Sequence, residues 1–274
     1  MSQVRFKELF DLKGKTAVVT GGAGILGRQF CRGLAEFGAD VAVIDLNESA
    51  AKELAGELCR DYHVRSEGVA CDLTSPDSVD AMVKKVTRTF GGIHILHSNA
   101  TKSVDQDAYL DRYEDYSLES WQQMLSVDLN GMFLVTQGVG KQMILQGTGG
   151  SMIQTASIYG IMSPDQRIYE GSFYNNRPIS SPAVYTAAKG GVVALTRYLA
   201  TYWAPKGIRV NSITPGGVES GQNEEFKKRY SNRIPMGRMA RSHEMVSAVI
   251  YLASDASSYV TGQNIIIDGG LNAW

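Results

Sequence analysis

The sequence predicts an α/β fold: a doubly wound parallel sheet of about seven strands with helices on both faces. Three observations carry this prediction. Short apolar, β-branched runs alternate with amphipathic helical segments from Thr16 to Asp268. The first run leads into Gly22, Gly24 and Gly27 in G-x-G-x-x-G spacing, with Gly21 just ahead. An acid, Asp45, closes the second run.

In chain order, residues 16–20 read as a buried strand, and 25–37 as a helix with Ile25, Phe30, Leu34 and Phe37 at helical spacing, stopped by Gly38. Residues 41–44 form the second strand and 48–60 the next helix. The third strand, 64–71, ends at Asp72, which either reaches toward an adenine or caps the turn that Thr-Ser-Pro-Asp begins. Pro76 opens a helix over 76–90, where its missing N–H costs nothing. Residues 93–98 are the fourth strand. His94 and His97 lie on it three apart and so face opposite ways, which argues against a shared metal. A polar, tyrosine-rich surface loop is expected over 101–118 and one long helix over 121–146. Residues 152–156 form a fifth strand ending at Ser157.

Residues 158–182 show little periodicity. This insert is either a solvated surface excursion or a polar wall for a hydroxyl-rich substrate. An alanine- and leucine-rich helix follows over 183–203, then a sixth strand over 208–213 and Pro215-Gly216-Gly217. A charged, mobile helical flap is expected over 220–234, a helix over 242–253 and a last strand over 263–268. No repeat or composition break divides the 274 residues, so one domain is expected, with 158–182 and 217–237 as substrate-site insert and flap.

The composition, 43% hydrophobic and 20% charged, is that of an ordinary soluble globular chain. A formal net charge of −1 offers no footprint for nucleic acid or an acidic membrane. No apolar run approaches the ~20 residues a membrane span needs. Residues 1–11 lack a signal-peptide core, and Cys31, Cys59 and Cys71 lack zinc spacing. Free thiols and a cytoplasmic location are the expectation.

The glycine turn has a chemical reading. Glycines let a pyrophosphate approach the backbone, and the helix that follows aims free N–H groups at it. Asp45 is placed to accept hydrogen bonds from the hydroxyls of an adenosine ribose. A 2′-phosphate there would meet a carboxylate, and Gly22, Ala23, Leu46 and Asn47 supply no cation, so NAD is expected over NADP. Tyr185 and Lys189, four apart on a helix, share a face. A nearby ammonium favours a phenolate, which makes Tyr185 a candidate general acid/base. Ser157, at a strand's carboxyl end, sits where such sheets bind ligands and can hold a carbonyl oxygen.

These pieces, in this order, resemble the short-chain dehydrogenase/reductase family over nearly the full length. The matching segments are residues 20–27, Asp72, Asn99-Ala100, Ser157 and Tyr185 through Lys189. Asn211 through Gly216, Ser220 where the family often has Thr, and Tyr259 through Gly262 complete the match. The resemblance implies a Rossmann-type fold and an NAD(P)-dependent oxidoreductase. Tyr185 would be the catalytic acid/base, Lys189 would bind the nicotinamide ribose and tune Tyr185, and Ser157 would orient the substrate oxygen. Cofactor contacts are implied in the glycine loop (Gly21, Gly24, Ile25, Leu26, Gly27) and at strand ends (Asp45, Asp72, Leu73, Asn99, Ala100). Beyond Tyr185 and Lys189, they are also implied at Pro215, Gly216 and Val218. A homotetramer or dimer packed through helices 121–146 and 183–203 is implied as well.

Three departures stand out. Ile25 replaces the family's glycine before Leu26, with Gly24 one place earlier. The Asn-Asn-Ala-Gly run is Ser98-Asn99-Ala100-Thr101. The active-site Asn aligns with Asp128, which retains the capacity to hold a relay water but lacks the amide donor, and Asn130 would face elsewhere. The insert resembles that of members acting on sugars, polyols or sugar acids, including gluconate- and mannonate-type enzymes. Arg167 and Arg177 are either forks for a substrate carboxylate or ordinary surface arginines. Two other readings remain open: a nucleotide-sugar epimerase or dehydratase, suggested by Gly21, Gly24 and Gly27, and a non-catalytic NAD-sensing scaffold.

Overall fold

The computed structural model describes residues 5–101, 111–174, 177–178 and 180–274, with Tyr174 and Arg177 described by backbone alone. Seven strands form one parallel sheet: β1 (Thr16–Thr20), β2 (Asp40–Asp45), β3 (Ser66–Ala70), β4 (Ile95–Ser98), β5 (Gly150–Thr155), β8 (Ile208–Pro215) and β9 (Asn264–Ile267). Their spatial order is β3-β2-β1-β4-β5-β8-β9. The order therefore reverses between β1 and β4, and the loops leaving those two strands diverge to open a crevice at their carboxyl ends.

Alternation along each strand builds two cores. Ala17 and Val19 of β1 face one side and pack with Phe30 and Leu34 of α1 (Ile25–Glu36), Leu54 and Leu58 of α2 (Glu48–Tyr62) and Ile250 of α8 (Val246–Ala253). Val18, between them, faces the other side. There Met82 and Val86 of α3 (Pro76–Phe90) meet Val135, Val139 and Met143 of α5 (Met132–Gln146) and Leu199 of α6 (Ala183–Trp203). Trp203 lies directly on Gly140, where a Cβ would be 2.5 Å from its ring. Helix starts follow local chemistry: the side chains of Asn47 and Ser75 accept from the third residue onward, Ala50 N and Ser78 N. Gly91, at φ 90°, ends α3.

Several sequence expectations change. The long helix expected over 121–146 is three pieces: α4 (Leu118–Leu125), a π-helical segment (Ser126–Gly131) and α5. The expected sixth strand extends to Pro215, because β9 pairs with Thr214 and Pro215. The helix expected over 242–253 begins as a 3₁₀ turn, Ser242–Met245. The insert is not structureless: it holds 3₁₀ turns at Ile158–Gly160 and Gln166–Tyr169 and an antiparallel pair, β6 (Phe173–Tyr174) with β7 (Arg177–Pro178). Its Ile158, Tyr159 and Ile168 are buried with Tyr230, Ile234, Met239 and Leu271. Tyr230 belongs to α7 (Glu224–Ser231), the helix of the expected flap. The loop expected over 101–118 lies outside the described residues at 102–110, and the remainder carries a 3₁₀ turn at Tyr113–Asp115. Among the described residues no helix is long and apolar enough to cross a membrane.

The two histidines part company as their spacing requires. His94 Nδ1 accepts from Thr16 N at 3.0 Å. His97 is fully buried, its Nε2 2.9 Å from Thr155 Oγ1 and its ring 4.3 Å from that of Phe30. Burial pulls its pKa down from 6.5 to about 3. The folded protein thus keeps His97 neutral while the unfolded chain takes up a proton below 6.5. Its contribution to stability is complete above pH 6.5 and is lost as pH falls toward about 3. Urea melts from pH 7.5 to 5 should show a loss of up to about 1.4 kcal/mol per pH unit from His97, and His97→Leu should show a shallower slope that keeps only the remaining groups, among them His94, also pulled down by burial. Equal slopes in the two proteins would exclude His97 as the cause.

Candidate active site

The turn between β1 and α1 is built by close backbone approach. Gly21 adopts φ +61°, and a Cβ there would lie 2.8 Å from Ala100 Cα, at the end of β4. A Cβ on Gly27 would collide with the Gly21 carbonyl oxygen, so helix and turn touch only because residue 27 is glycine. Gly24 caps α1 with no side chain, leaving the N–H groups of the first turn open to the crevice. Ile25 is exposed there, and the altered glycine spacing still gives a regular helix start.

A groove of about 660 Å³ runs along this turn. It brings together Gly21, Gly24, Ile25, Leu26, Asp45, Asp72, Leu73, Asn99 and Ala100, and adds Leu46, Thr101 and Val127 to them. Gly27 packs against the Gly21–Gly22 backbone of the turn, and Pro215, Gly216 and Val218 follow at the end of β8, Val218 bridging to Ala240. Asp45 Oδ2 accepts from Ala23 N and Oδ1 from Asn47 N, both at 3.0 Å. A carboxylate offers about four acceptor sites, so capacity for ribose hydroxyls remains. Asp72 lines the groove and also takes the turn role, with Oδ1 accepting from Thr74 N and Thr74 Oγ1. Asn99 holds the end of β1, its Nδ2 3.4 Å from the Thr20 carbonyl, while Thr20 Oγ1 accepts from Asn99 N. The groove, its open helix N-terminus and its acid suit a dinucleotide.

At the end of β5, the Ser157 hydroxyl accepts from Tyr159 N at 3.2 Å, capping a 3₁₀ turn. That bond occupies a lone pair and leaves the O–H free to donate. The turn is pressed onto α6, since a Cβ on Gly160 would lie 2.6 Å from the Lys189 carbonyl oxygen. Lys189 is 2% exposed. Its Nζ sits 5.7 Å from the centroid of the Tyr185 ring, 3.4 Å from the Thr155 carbonyl and 3.4 Å from Asp128 Oδ2. Asp128 is fully buried on the π-helical segment and accepts from Thr101 Oγ1, while Asn130 is exposed. π-helical turns of this kind recur at functional sites.

Around this cluster burial raises the phenols of Tyr159 and Tyr169 and pushes Tyr230 up to about 12, so all three stay protonated. Tyr230 packs on Gly217, where a Cβ would meet its ring. Arg167 does not offer a free fork. Its Nε and Nη2 each lie 2.8 Å from an Asp165 oxygen, which holds that carboxyl at about 2, and its side chain is 82% exposed. The carboxylate-fork expectation for Arg177 falls on a side chain outside the described residues.

Residues 21–272 match the family model described as "Enoyl-(Acyl carrier protein) reductase". The chain is 34% identical to the NADP-dependent mannitol dehydrogenase of Alternaria alternata, covering 96% of this chain and 94% of that protein. It is 35% identical to the D-threitol dehydrogenase of Mycolicibacterium smegmatis, with 95% and 94% covered. A short-chain type dehydrogenase/reductase from Mycobacterium marinum superposes with a TM-score of 0.87 at 34% identity, over 99% of this chain and 100% of that one. The chain belongs to the short-chain dehydrogenase/reductase family. For a member of that family, the sequence reading missed Gly160, the Thr155 carbonyl and Thr101, whose partners lie far along the chain. Only Thr101 carried a signal, as a departure from the family's glycine.

The dehydrogenase fold makes the glycine turn testable. Gly21→Ala adds a Cβ at positive φ against Ala100, and affinity for a reduced nicotinamide dinucleotide should fall by about tenfold or more, the equivalent of ~1.4 kcal/mol. Fluorescence titration with NADH and with NADPH reads this, and unchanged affinity for both would mean the turn does not cradle the nucleotide.

Proposed function

We propose that the protein is an NAD-preferring oxidoreductase that interconverts a secondary alcohol and a ketone on a sugar, sugar acid or polyol. The single observation that carries this reading is the buried Lys189 ammonium beside the Tyr185 ring, on the helix against which the Ser157 turn is pressed. In the oxidative direction the Ser157 O–H donates to the substrate oxygen and the Tyr185 phenolic oxygen takes the hydroxyl proton. Lys189 steadies negative charge on Tyr185, and Asp128 helps hold that ammonium from behind. A nicotinamide dinucleotide, held by the glycine loop, Asp45, Asn99 and Lys189, would supply the hydride acceptor or donor.

The NAD preference rests on Asp45. Its carboxylate faces the groove, and the Arg28 guanidinium nearby is tied to the Ala23 carbonyl at 3.1 Å and lies 3.9 Å from Glu57. A 2′-phosphate would meet like charge there. The Alternaria relative is NADP-dependent, and fold alone does not set the cofactor, so the NAD reading stands on the Asp45 carboxylate. For the substrate, the mannitol and threitol relatives point to polyols. The insert supports them: Ser163, Gln166, Glu170, Ser180 and Ser181 line a recess of about 910 Å³ beside the start of α6. Polar walls suit such substrates because an unpaired hydroxyl in a closed site is costly.

A homo-oligomer is part of the proposal. Phe133, Ile144, Tyr198 and Tyr202 on α5 and α6 are exposed around one apolar groove, with Tyr198 and Tyr202 stacked at 5.8 Å. Light scattering should return a multiple of 29.8 kDa, and a monomer at micromolar concentration would refute it.

The decisive assay is NADH formation with D-mannitol, D-threitol, D-arabinitol and D-gluconate, repeated with NADP. Turnover of at least one with a higher kcat/KM for NAD is expected. Tyr185→Phe should lower kcat by about 10²–10⁴-fold while NADH still binds. No turnover in the wild type, or full turnover in Tyr185→Phe, would overturn the reading, and an NADP preference would overturn the cofactor assignment.

A further inference from the structure

The recess of about 910 Å³ in the insert reaches α6 at Thr186, the residue after Tyr185. We propose that this recess selects a neutral polyol, or the ketose made from it, over a sugar acid: its acidic wall repels a substrate carboxylate, and the Thr186 hydroxyl takes up a substrate hydroxyl. This inference rests on the oxidoreductase reading of Tyr185 and Lys189 and narrows its substrate.

The charge of the wall carries the first half. Among the described residues that line the recess, the charged side chains are Asp111, Glu114, Glu170 and Arg112, three carboxylates against one guanidinium. That guanidinium is already matched, its Nη2 3.3 Å from Glu114. Arg229 reaches Glu170 at 3.1 Å, but its Nε lies 2.8 Å from Glu225, so its charge is divided between two acids. Arg167 is spent on Asp165. A carboxylate entering here meets net negative charge and no open fork among these arginines. The side chains of Glu114 and Glu170 are 67% and 65% exposed, so water screens them. At about 7 Å in such a medium each charge weighs about threefold in binding.

Hydroxyl chemistry carries the second half. Thr186 Oγ1 and Tyr116 Oη are buried with no hydrogen-bond partner, and both residues line the recess. A hydroxyl withdrawn from water and left unpaired is costly. Elsewhere in the helices Thr136 and Thr196 settle that cost by donating to the carbonyl four residues back, at 2.7 and 2.9 Å. Thr186 does not. One rotation about its Cα–Cβ bond exchanges hydroxyl and methyl and offers the oxygen to a ligand in the recess. Burial raises the pKa of Tyr116, with the Asp111 charge adding to it, so its phenol also stays an O–H. A neutral hydroxyl suits such a wall, because it both donates and accepts and brings no charge.

The test uses compounds matched in stereochemistry and different in charge: D-mannitol with D-mannonate, D-arabinitol with D-arabinonate, and D-glucitol with D-gluconate. In every pair that turns over, kcat/KM should favour the polyol by about tenfold, the product of two net charges at about threefold each. Raising NaCl from about 0.05 M to about 0.5 M should narrow that ratio. Glu114→Gln combined with Glu170→Gln should narrow it by about threefold or more. Thr186→Val should lower kcat/KM for the best polyol by about fivefold at unchanged KM for NAD, whereas Thr186→Ser should retain activity. The same Thr186→Val change should raise the Tm of the substrate-free protein by about 2 °C, because it removes an unpaired hydroxyl. A merely structural Thr186 would lose activity and Tm together. A sugar acid preferred in any pair, a ratio unmoved by salt and by the double variant, or Thr186→Val with wild-type kcat/KM or a lowered Tm would each overturn the inference and leave the oxidoreductase reading standing. If no compound turns over, or Tyr185→Phe keeps full turnover, that reading falls and this inference with it.

Discussion

A lysine ammonium withdrawn from water must find oxygen, and at Lys189 that requirement ties the molecule together. Its acceptors come from the end of β5 and from the π-helical segment, and its own carbonyl receives the turn that carries Ser157. Removing one member of such a buried pair leaves the other uncompensated, at a cost of about 3–5 kcal/mol. The strand end, the helix break and α6 are therefore held in register by one charge. The Tyr185 phenol sits one helical turn away, so in the proposed mechanism the constraint that secures the fold would also set the chemistry.

The opposite end of the crevice is governed by the absence of side chains. Gly21 against Ala100 and Gly27 against Gly21 are contacts that any Cβ would prevent, and they bring α1 close enough to aim its free N–H groups at the groove. Asp45 then does two jobs, accepting from Ala23 N within the turn while facing the groove from the end of β2. The turn and the acid at the end of β2 are one hydrogen-bonded unit.

How much of this was legible in the sequence follows from how local each feature is. Strand β1, its glycine turn, Asp45 and the helix over 183–203 are written in short-range patterns of apolar spacing and turn chemistry, and all stand where the sequence put them. Tyr185 and Lys189 share a helix, so their common face was readable too. The π-helical segment was not, because its wide turn, with Asp128 and Gly131 buried in it, leaves no mark in the apolar period. The insert looked irregular because its order comes from distant partners: Ile158, Tyr159 and Ile168 bury against Tyr230 and Leu271, and Glu170 pairs with Arg229 at 3.1 Å. Of the two readings open for Arg167, the structure bears out the surface arginine, its fork taken by Asp165 two residues earlier, a pairing that spacing alone does not reveal.

The π-helical segment has a consequence for how this chain tolerates change in length. It lodges Asp128 inward between two regular helices, α4 and α5. Losing one residue between 126 and 131 would let the stretch relax into an uninterrupted α-helix, and because a π turn holds about one residue more than an α turn the two flanks would keep nearly the same relative orientation. Val135 and Val139 would go on facing the core, and the change would fall on the segment that turns Asp128 inward. Single-residue deletions here should thus spare the fold and cost the site, whereas substitutions at exposed Asn130 are free to accumulate.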